Sequence, residues 1–328
     1  MTRAGPPGDR QGAGLPRRAV LGLGLTAALG LAAPALASRS NPVELLVGAP
    51  PGSKPDLWAR GVAPFLERAL PRLTLAVRNH PGRGGLDSVA VLAEADPARR
   101  VIGVVTAPLL LARAVEGGEP FPATRIAPLA AVLEENMVLV GAPDGPRDIA
   151  ALRALGDRGT LGTPAPGSAA HFAASRLDGR LDLPRFAFPT ATAARQAAAA
   201  GHVAAALLPL PDAITQLREG RLHGIGIAAA RRSALLPEVA TLREQEVDLI
   251  ASAQRGFALH PAAPAPFRAA LLRGLEAVAA DPDFAEQCAA RGQNPRFIGP
   301  EDWTGLLARV DTELRRRWAE EPWLPRRA

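Results

Sequence analysis

The feature that most constrains the fold is the alternation of short apolar runs with helical segments after residue 40. Seven runs have the length and composition of strands: Val43–Gly48, Leu73–Arg78, Val101–Val105, Met137–Val140, Val203–Leu208, Ile225–Ala228 and Gly256–Leu259. Helical segments follow most of them, among them Leu57–Leu70, Ala169–Leu177, Ala193–Ala200, Asp212–Glu219 and Glu301–Trp318. This order predicts an α/β fold with helices packed on mostly parallel strands.

Two stretches resemble crossings between two lobes, Val138–Gly145 and Gln254–Pro266. If both cross, residues 141–256 form one α/β lobe, and residues 41–140 together with 257–328 form the other. A cleft between two such lobes surrounds a small ligand on all sides.

The first 37 residues are typical of a secretory signal. A basic lead precedes an apolar run of 15 residues, and Ala35 and Ala37 form an A-x-A cleavage site. Arg17 and Arg18 directly before the run resemble a twin-arginine signal, and an uncleaved anchor is the alternative. We therefore expect a periplasmic protein, exported by the twin-arginine or the general route.

Composition argues against several functions. Cleavage after Ala37 removes four arginines and one aspartate, so the formal charge falls from +6 to +3, and the longest basic run that is left is Arg315–Arg317. This pattern does not favour nucleic-acid binding. The single cysteine, Cys288, excludes an internal disulfide, the five histidines lack zinc-ligand spacing, and no G-x-S-x-G nucleophile motif occurs. We expect no catalytic residues, no metal and no cofactor.

Four loops stand where an apolar run gives way to a helix, which is where ligands collect in parallel α/β sheets. They read PPGSKPD, NHPGRGGLD, GTPAPGSAAH and FPTATAA. Free N–H groups at helix starts bind carboxylate or phosphate, although Gly, Ser and Thr are also ordinary turn and cap residues. If the loops converge, they form an anion site. The first loop offers the N–H groups of Gly52 to Lys54, the Ser53 hydroxyl and the Lys54 charge, and the fourth adds the hydroxyls of Thr190 and Thr192.

Four further interpretations concern single residues. Lys54 is the only lysine, which reflects either an arginine-rich composition or an anion held by its loop. Ser53 and Asp56 have the spacing of a capping box, so Asp56 is expected to hold its loop. Asp212 is expected to be a helix N-cap. His171 is expected to pack beneath its loop, with ligand contact as the alternative.

The order of these motifs resembles that of the Bug receptors, the extracytoplasmic solute-binding proteins of tripartite tricarboxylate transporters. In four places the residues match family signatures: Pro50, Gly52, Asp56, Ala59 and Arg60; Asn79, Pro81, Gly82, Gly84 and Gly85; Gly167, Ser168 and His171; and Arg232, Ser233, Pro237, Val239, Thr241 and Glu244. The resemblance spans about residues 42 to 315.

The resemblance implies a two-lobed periplasmic-binding-protein (Venus flytrap) architecture with two hinge-crossing strands. It implies first-lobe contacts from Gly52, Ser53, Lys54, Thr106 and Ala107 and second-lobe contacts from Gly167, Ser168, Thr190 and Thr192, with Asn79, Gly84 and Gly85 as supporting residues. It also implies a small organic acid (a mono-, di- or tricarboxylate, or an amino acid), membrane permease subunits and a monomer. Lys54 stands where the family has a small residue, and we hypothesise that it favours a diacid. A periplasmic sensor for a signalling partner and an exported α/β hydrolase are the alternatives.

Overall fold

Strands and helices alternate along residues 42–177 and 180–325, which the computed structural model describes. The strands are β1 (Val43–Val47), β2 (Leu75–Asn79), β3 (Val101–Ala107), β4 (Ala127–Gly141), β5 (Leu161–Thr163), β6 (Arg185–Ala187), β7 (Ala205–Pro209), β8 (His223–Ile227), β9 (Ser252–Leu259) and β10 (Asn294–Ile298). The helices are α1 (Lys54–Ala69), α2 (Leu86–Glu94), α3 (Leu109–Glu116), α4 (Ile149–Arg153), α5 (Ala169–Ser175), α6 (Ala191–Ala199), α7 (Leu210–Arg218), α8 (Ala265–Ala280), α9 (Pro282–Ala290) and α10 (Pro300–Glu320). The predicted α/β fold is confirmed, but the prediction of mostly parallel strands is wrong, because five of the nine strand pairings in the described chain are antiparallel.

The strands follow the order β2-β1-β3-β9-β4-β7-β5-β6, and β8 and β10 also pair with β4. Parallel pairing joins β1 to β2 and β3, and it joins β5 to β6 and β7. Between these two parallel groups lie β9 and β4, which are antiparallel to their neighbours. The loops that follow β1 and β3 therefore lie together at one end of the first group. The loops that follow β5 and β7 lie together at one end of the second group.

The long strand β4 connects the two groups. Its residues 127–136 pair with β9, and residues 137–141 pair with β7 and β8. The chain returns from the second group of strands to the first beside Met137, whose N–H donates to the Ala251 carbonyl at 3.1 Å. A methyl group on Gly256 would lie 2.3 Å from the Ala130 carbonyl oxygen, so β9 can approach β4 only because this residue has no side chain.

Apolar side chains cover both faces of each half of the sheet. In the first half, α1, α8 and α9 pack around Trp58 and Phe257, and α2, α3 and α10 pack around Trp303 on the opposite face. In the second half, alternate residues of β4 serve the two faces, since Leu139 packs with α5 and Val138 packs with α6 and α7. The core rests on Leu, Val, Ile and Ala.

The predicted signal sequence, with Arg17 and Arg18, lies outside the described residues. In the part of the chain that is described, no helix is long and apolar enough to cross a membrane.

Candidate functional site

A buried carboxylate holds the first two candidate loops together. Asp56 is 1% exposed in the first turn of α1. Its two carboxylate oxygens accept hydrogen bonds from the Gly52 N–H at 2.8 Å and from the Asn79 side-chain amide at 2.9 Å. Each of these two oxygens also accepts from Nε of Arg60, at 3.0 Å. The Arg60 hydrogen bond is the main cause that lowers the pKa of Asp56 from 3.8 to about 2, against the opposing effect of burial. Asp56 thus fixes the Gly52 turn while it remains charged.

The capping box predicted for Ser53 and Asp56 is not formed. Ser53 precedes α1, but its hydroxyl donates to the Pro50 carbonyl at 2.5 Å and makes no side-chain cap. Asp56 reaches back to Gly52 instead. The prediction that Asp56 holds its loop is confirmed, although the predicted geometry was wrong.

The glycines of the second loop permit close packing. Gly84 and Gly85 have φ angles of +67° and +106°, which favour glycine. A methyl group on Gly84 would lie 2.2 Å from Cγ of Arg113, and one on Gly48 would lie 2.5 Å from Cα of Gly85. The second loop therefore lies between the end of β1 and helix α3.

Thr106 and Ala107 end β3, beside Arg255 and Gln254 of β9. Ala107 is fully buried and Thr106 is partly exposed. Pro108 follows and α3 begins at the next residue. Of the two predicted contacts, only Thr106 has a side chain with exposed surface.

In the second half, the predicted start of α5 at Ala169 is confirmed, and α6 begins at Ala191, two residues before its predicted start. The Ser168 hydroxyl accepts from the His171 N–H at 3.2 Å at the start of α5, and the Thr190 hydroxyl accepts from the Ala193 N–H at 3.1 Å at the start of α6. Gly167 turns the chain before α5 with a φ of +84°. Thr190 and Thr192 are exposed.

His171 lies in the first turn of α5 with its ring 5.4 Å from that of Phe172. Burial, followed by the charges of Arg185 and Arg317, lowers its pKa from 6.5 to about 4. Its Nδ1 is buried and has no hydrogen-bond partner among the described residues. At neutral pH this ring is uncharged, so it adds no charge to the site.

Lys54 connects the two halves. Its ammonium forms an ion pair with Asp212, 158 residues further along the chain, and 63% of the Lys54 side chain is exposed. The prediction that Asp212 is an N-cap is wrong, because α7 already begins at Leu210 and Asp212 lies in its first turn. Arg195 of α6 donates to the Asp212 carbonyl at 2.6 Å, which ties this position to α6.

A second contact between the halves involves a guanidinium that sequence reasoning missed. Arg113 of α3 lies 3.3 Å from the Pro166 carbonyl, and a methyl group on Gly167 would approach the same guanidinium. The first half therefore meets the second at both Asp212 and Pro166. No sequence spacing relates these positions, since each pair joins distant segments.

A cavity of about 460 Å³ is lined mainly by residues of α5, α10 and the start of β9, and by none of the predicted ligand contacts. Its lining includes Pro108, directly after Thr106 and Ala107, and Ala169, directly after Ser168. Ser252 and Gln254, at the start of β9, complete the wall between the halves. In residues 42–177 and 180–325, no group of three or more His, Cys, Asp or Glu side chains is arranged to hold a metal ion.

Two α/β halves that are joined at two crossing segments and also meet at Asp212 and Pro166 have the architecture of the periplasmic solute-binding class. The chain belongs to the tripartite tricarboxylate transporter receptor family (TctC), whose sequence model matches residues 59–307. It is 26% identical over 314 residues to protein BugT of Bordetella pertussis, covering 92% of this chain and 94% of that relative.

Two solved structures show the same fold. A TctC solute-binding protein from Polaromonas has a TM-score of 0.73 at 19% identity, covering 85% of this chain and 98% of that one. MatC from Rhodopseudomonas palustris, solved with bound malate, has a TM-score of 0.62 at 23% identity, with coverage of 85% and 98%. The resemblance to Bug receptors is confirmed, and the family is one of receptors and not of enzymes. The comparisons also support a location outside the cytoplasm.

Proposed function

We propose that the protein binds a small organic carboxylate between its two halves and delivers it to the permease subunits of a tripartite transporter. The observation that carries the proposal is that the loop after β1 and the loop after β5 each contact the opposite half, at Asp212 and at Arg113. Membership of the receptor family and the malate bound to a protein of the same fold support it. The sensor and hydrolase alternatives have no comparable support.

The proposed contacts are backbone N–H groups and hydroxyls at the helix starts. They come from Ser53, Thr106, Ala107, Gly167, Ser168, Thr190 and Thr192, with Lys54 at the rim and with Gly52 shaping the first turn through its N–H to Asp56. A hydrogen bond to a charged group contributes about 1.5–3 kcal/mol, whereas micromolar binding needs about 8 kcal/mol. Several donors from both halves must therefore act together.

Binding of this kind requires the halves to open and close. We propose lobes of residues 41–140 with 257–328 and of residues 141–256. The exchange of strand partners on β4 between Asn136 and Met137, beside Ala251, suggests that the hinge lies a few residues before these boundaries. The ion pair of Lys54 with Asp212 would form on closure.

A thermal-shift screen of residues 38–328 tests the proposal, using mono-, di- and tricarboxylates and amino acids. At 100 times its dissociation constant a ligand stabilises the folded state by about 2.7 kcal/mol. Protein refolded from denaturant excludes a co-purified ligand. Unchanged melting temperatures for every acid would overturn the proposal.

A matched pair of variants locates the site. Ser168→Ala removes a hydroxyl at the start of α5, whereas Thr312→Ala removes an exposed hydroxyl of α10 that bonds only to the Ala308 carbonyl. We expect the first to weaken binding of the active acid and the second to leave it unchanged. Equal affinities for both variants would place the ligand elsewhere.

Three finer points belong to the same proposal. We propose export by the twin-arginine route, tested by whether Arg17→Lys with Arg18→Lys stops secretion. We propose a monomer, tested by light scattering during size-exclusion chromatography. Delivery to a permease is tested by uptake of the radiolabelled acid in cells with and without the receptor gene.

A further inference from the structure

After α10 the chain forms a short strap, residues 321–325, beside the junction of the two halves. Helix α10 itself belongs to the first half, where Trp303 packs with α3. Strap residues border two cavities, one of about 780 Å³ at Leu324 and Pro325 and one of about 310 Å³ at Trp323. The packing of the strap against the rest of the protein is therefore incomplete, which leaves it room to move.

Trp323, in the middle of the strap, contacts both halves. Its Nε1 donates to a carboxylate oxygen of Glu116, the last residue of α3, at 2.6 Å. Its ring meets that of Phe172 of α5 edge to face, with the ring centres 4.8 Å apart and an interplanar angle of 87°, a favourable aromatic geometry. Trp318 of α10 flanks it at 4.7 Å. Since α3 belongs to the first half and α5 to the second, this one side chain bridges them.

The Glu116 side chain extends this bridge to a candidate loop. It forms an ion pair with Arg113, whose guanidinium lies 3.3 Å from the Pro166 carbonyl. A methyl group on Gly167 would lie 3.0 Å from the same Glu116 oxygen that accepts from Trp323. The side chains of Glu116 and Arg113 are 13% and 28% exposed, so solvent screens their interaction only in part. Trp323 is thus linked through two charged side chains to the turn that precedes α5.

We propose that the strap is a latch, in which Trp323 holds α5 of the second half against α3 of the first and favours the closed arrangement of the halves. This inference rests on the opening and closing of the proposed function, but it does not depend on which acid is bound. One aromatic contact and one hydrogen bond to a carboxylate are strong enough to bias such an equilibrium and weak enough to break. The strap therefore sets how easily the halves separate.

Pulsed EPR distance measurements on refolded, acid-free protein test the latch. Spin labels on Val91→Cys of α2 and Ala200→Cys after α6 report the separation of the halves, because both positions are exposed and Cys288 is buried. We expect Trp323→Ala to raise the ratio of open to closed molecules by about 10-fold, since it removes the hydrogen bond to the carboxylate and the aromatic contact. Trp323→Phe, which keeps only the aromatic contact, should give a smaller rise.

A matched aromatic control lies within one half. Phe65 of α1 meets Phe284 of α9 edge to face with the ring centres 5.3 Å apart, and both helices pack in the first half. Phe65→Ala should therefore leave the ratio unchanged. Melting curves check that all three variants fold.

An unchanged distance distribution in Trp323→Ala, or an equal shift in Phe65→Ala, would overturn the latch. Because no acid is present in these measurements, that result leaves carboxylate binding standing, to be decided by the thermal-shift screen. A screen in which no acid binds would overturn the proposed function and leave the distance measurement of the latch valid.

Discussion

Replacing Asp56 by Asn tests how the first two loops are held. Asp56 accepts hydrogen bonds from Gly52, Asn79 and Arg60. Asparagine has the same shape but only one acceptor oxygen, so at least one of these donors would face an NH₂ group. The substitution therefore removes the charge and leaves a donor unpaired.

Two estimates of the cost agree in size. A hydrogen bond to a charged group contributes about 1.5–3 kcal/mol, and asparagine recovers part of that sum. The pKa of Asp56, lowered from 3.8 to about 2, corresponds to about 2 kcal/mol at 1.36 kcal/mol per unit. We expect Asp56→Asn to reduce the free energy of unfolding by about 2–3 kcal/mol at neutral pH.

The pH dependence provides the sharper test. A carboxyl whose pKa is depressed by folding stabilises the protein fully above its unfolded pKa, and this contribution is lost as the pH falls through the folded pKa. The difference between wild type and Asp56→Asn in urea unfolding should therefore be constant above about pH 5 and shrink between about pH 4 and pH 2. Asp248→Asn, at an exposed surface pair with Arg243, should change stability by less than about 0.5 kcal/mol. A difference for Asp56→Asn that is under 0.5 kcal/mol, or independent of pH, would refute the reasoning.

Three further predictions concern packing, reactivity and closure. Gly256→Ala should lower the free energy of unfolding by about 1–3 kcal/mol in urea, because its methyl group meets the Ala130 carbonyl; a loss below about 0.5 kcal/mol would contradict this. Burial raises the pKa of Cys288 to about 12, so its thiol should react with Ellman's reagent only after unfolding; rapid reaction of the native protein would contradict it. A double-mutant cycle on Lys54 and Asp212 should give a coupling below about 1 kcal/mol that decreases with salt, since Lys54 is largely exposed; a larger coupling that is insensitive to salt would contradict it.

The sequence was sufficient for the fold class because the central strands are long apolar runs. It was insufficient for the edges of the sheet. β5 and β6 have three residues each, too few for a periodic pattern, and β10 begins with Asn-Pro. For β4 only Met137–Val140 was predicted, although the strand begins at Ala127, because the preceding residues include Pro128 and two adjacent glutamates that interrupt the apolar run.

The candidate loops were recognisable because Gly, Ser, Thr and a following helix occur together locally. The long-range contacts that hold these segments together were not recognisable from the sequence. Arg113 and Arg176 reach backbone carbonyls 53 and 74 residues away, and such contacts leave no regular spacing in the sequence. Asn79 was predicted as a supporting residue from its loop motif, but only the fold shows that its amide meets the Asp56 carboxylate.

The ion pair of Lys54 changes the explanation of ligand charge. Lysine is a compact, strongly hydrated point charge on a flexible stem, so an exposed pair with Asp212 can break at small cost each time the halves separate. A charge neutralised by Asp212 in the closed state contributes little to selecting a diacid. The one lysine of a chain that otherwise uses arginine is therefore placed where the proposed closure needs a contact that forms and breaks easily.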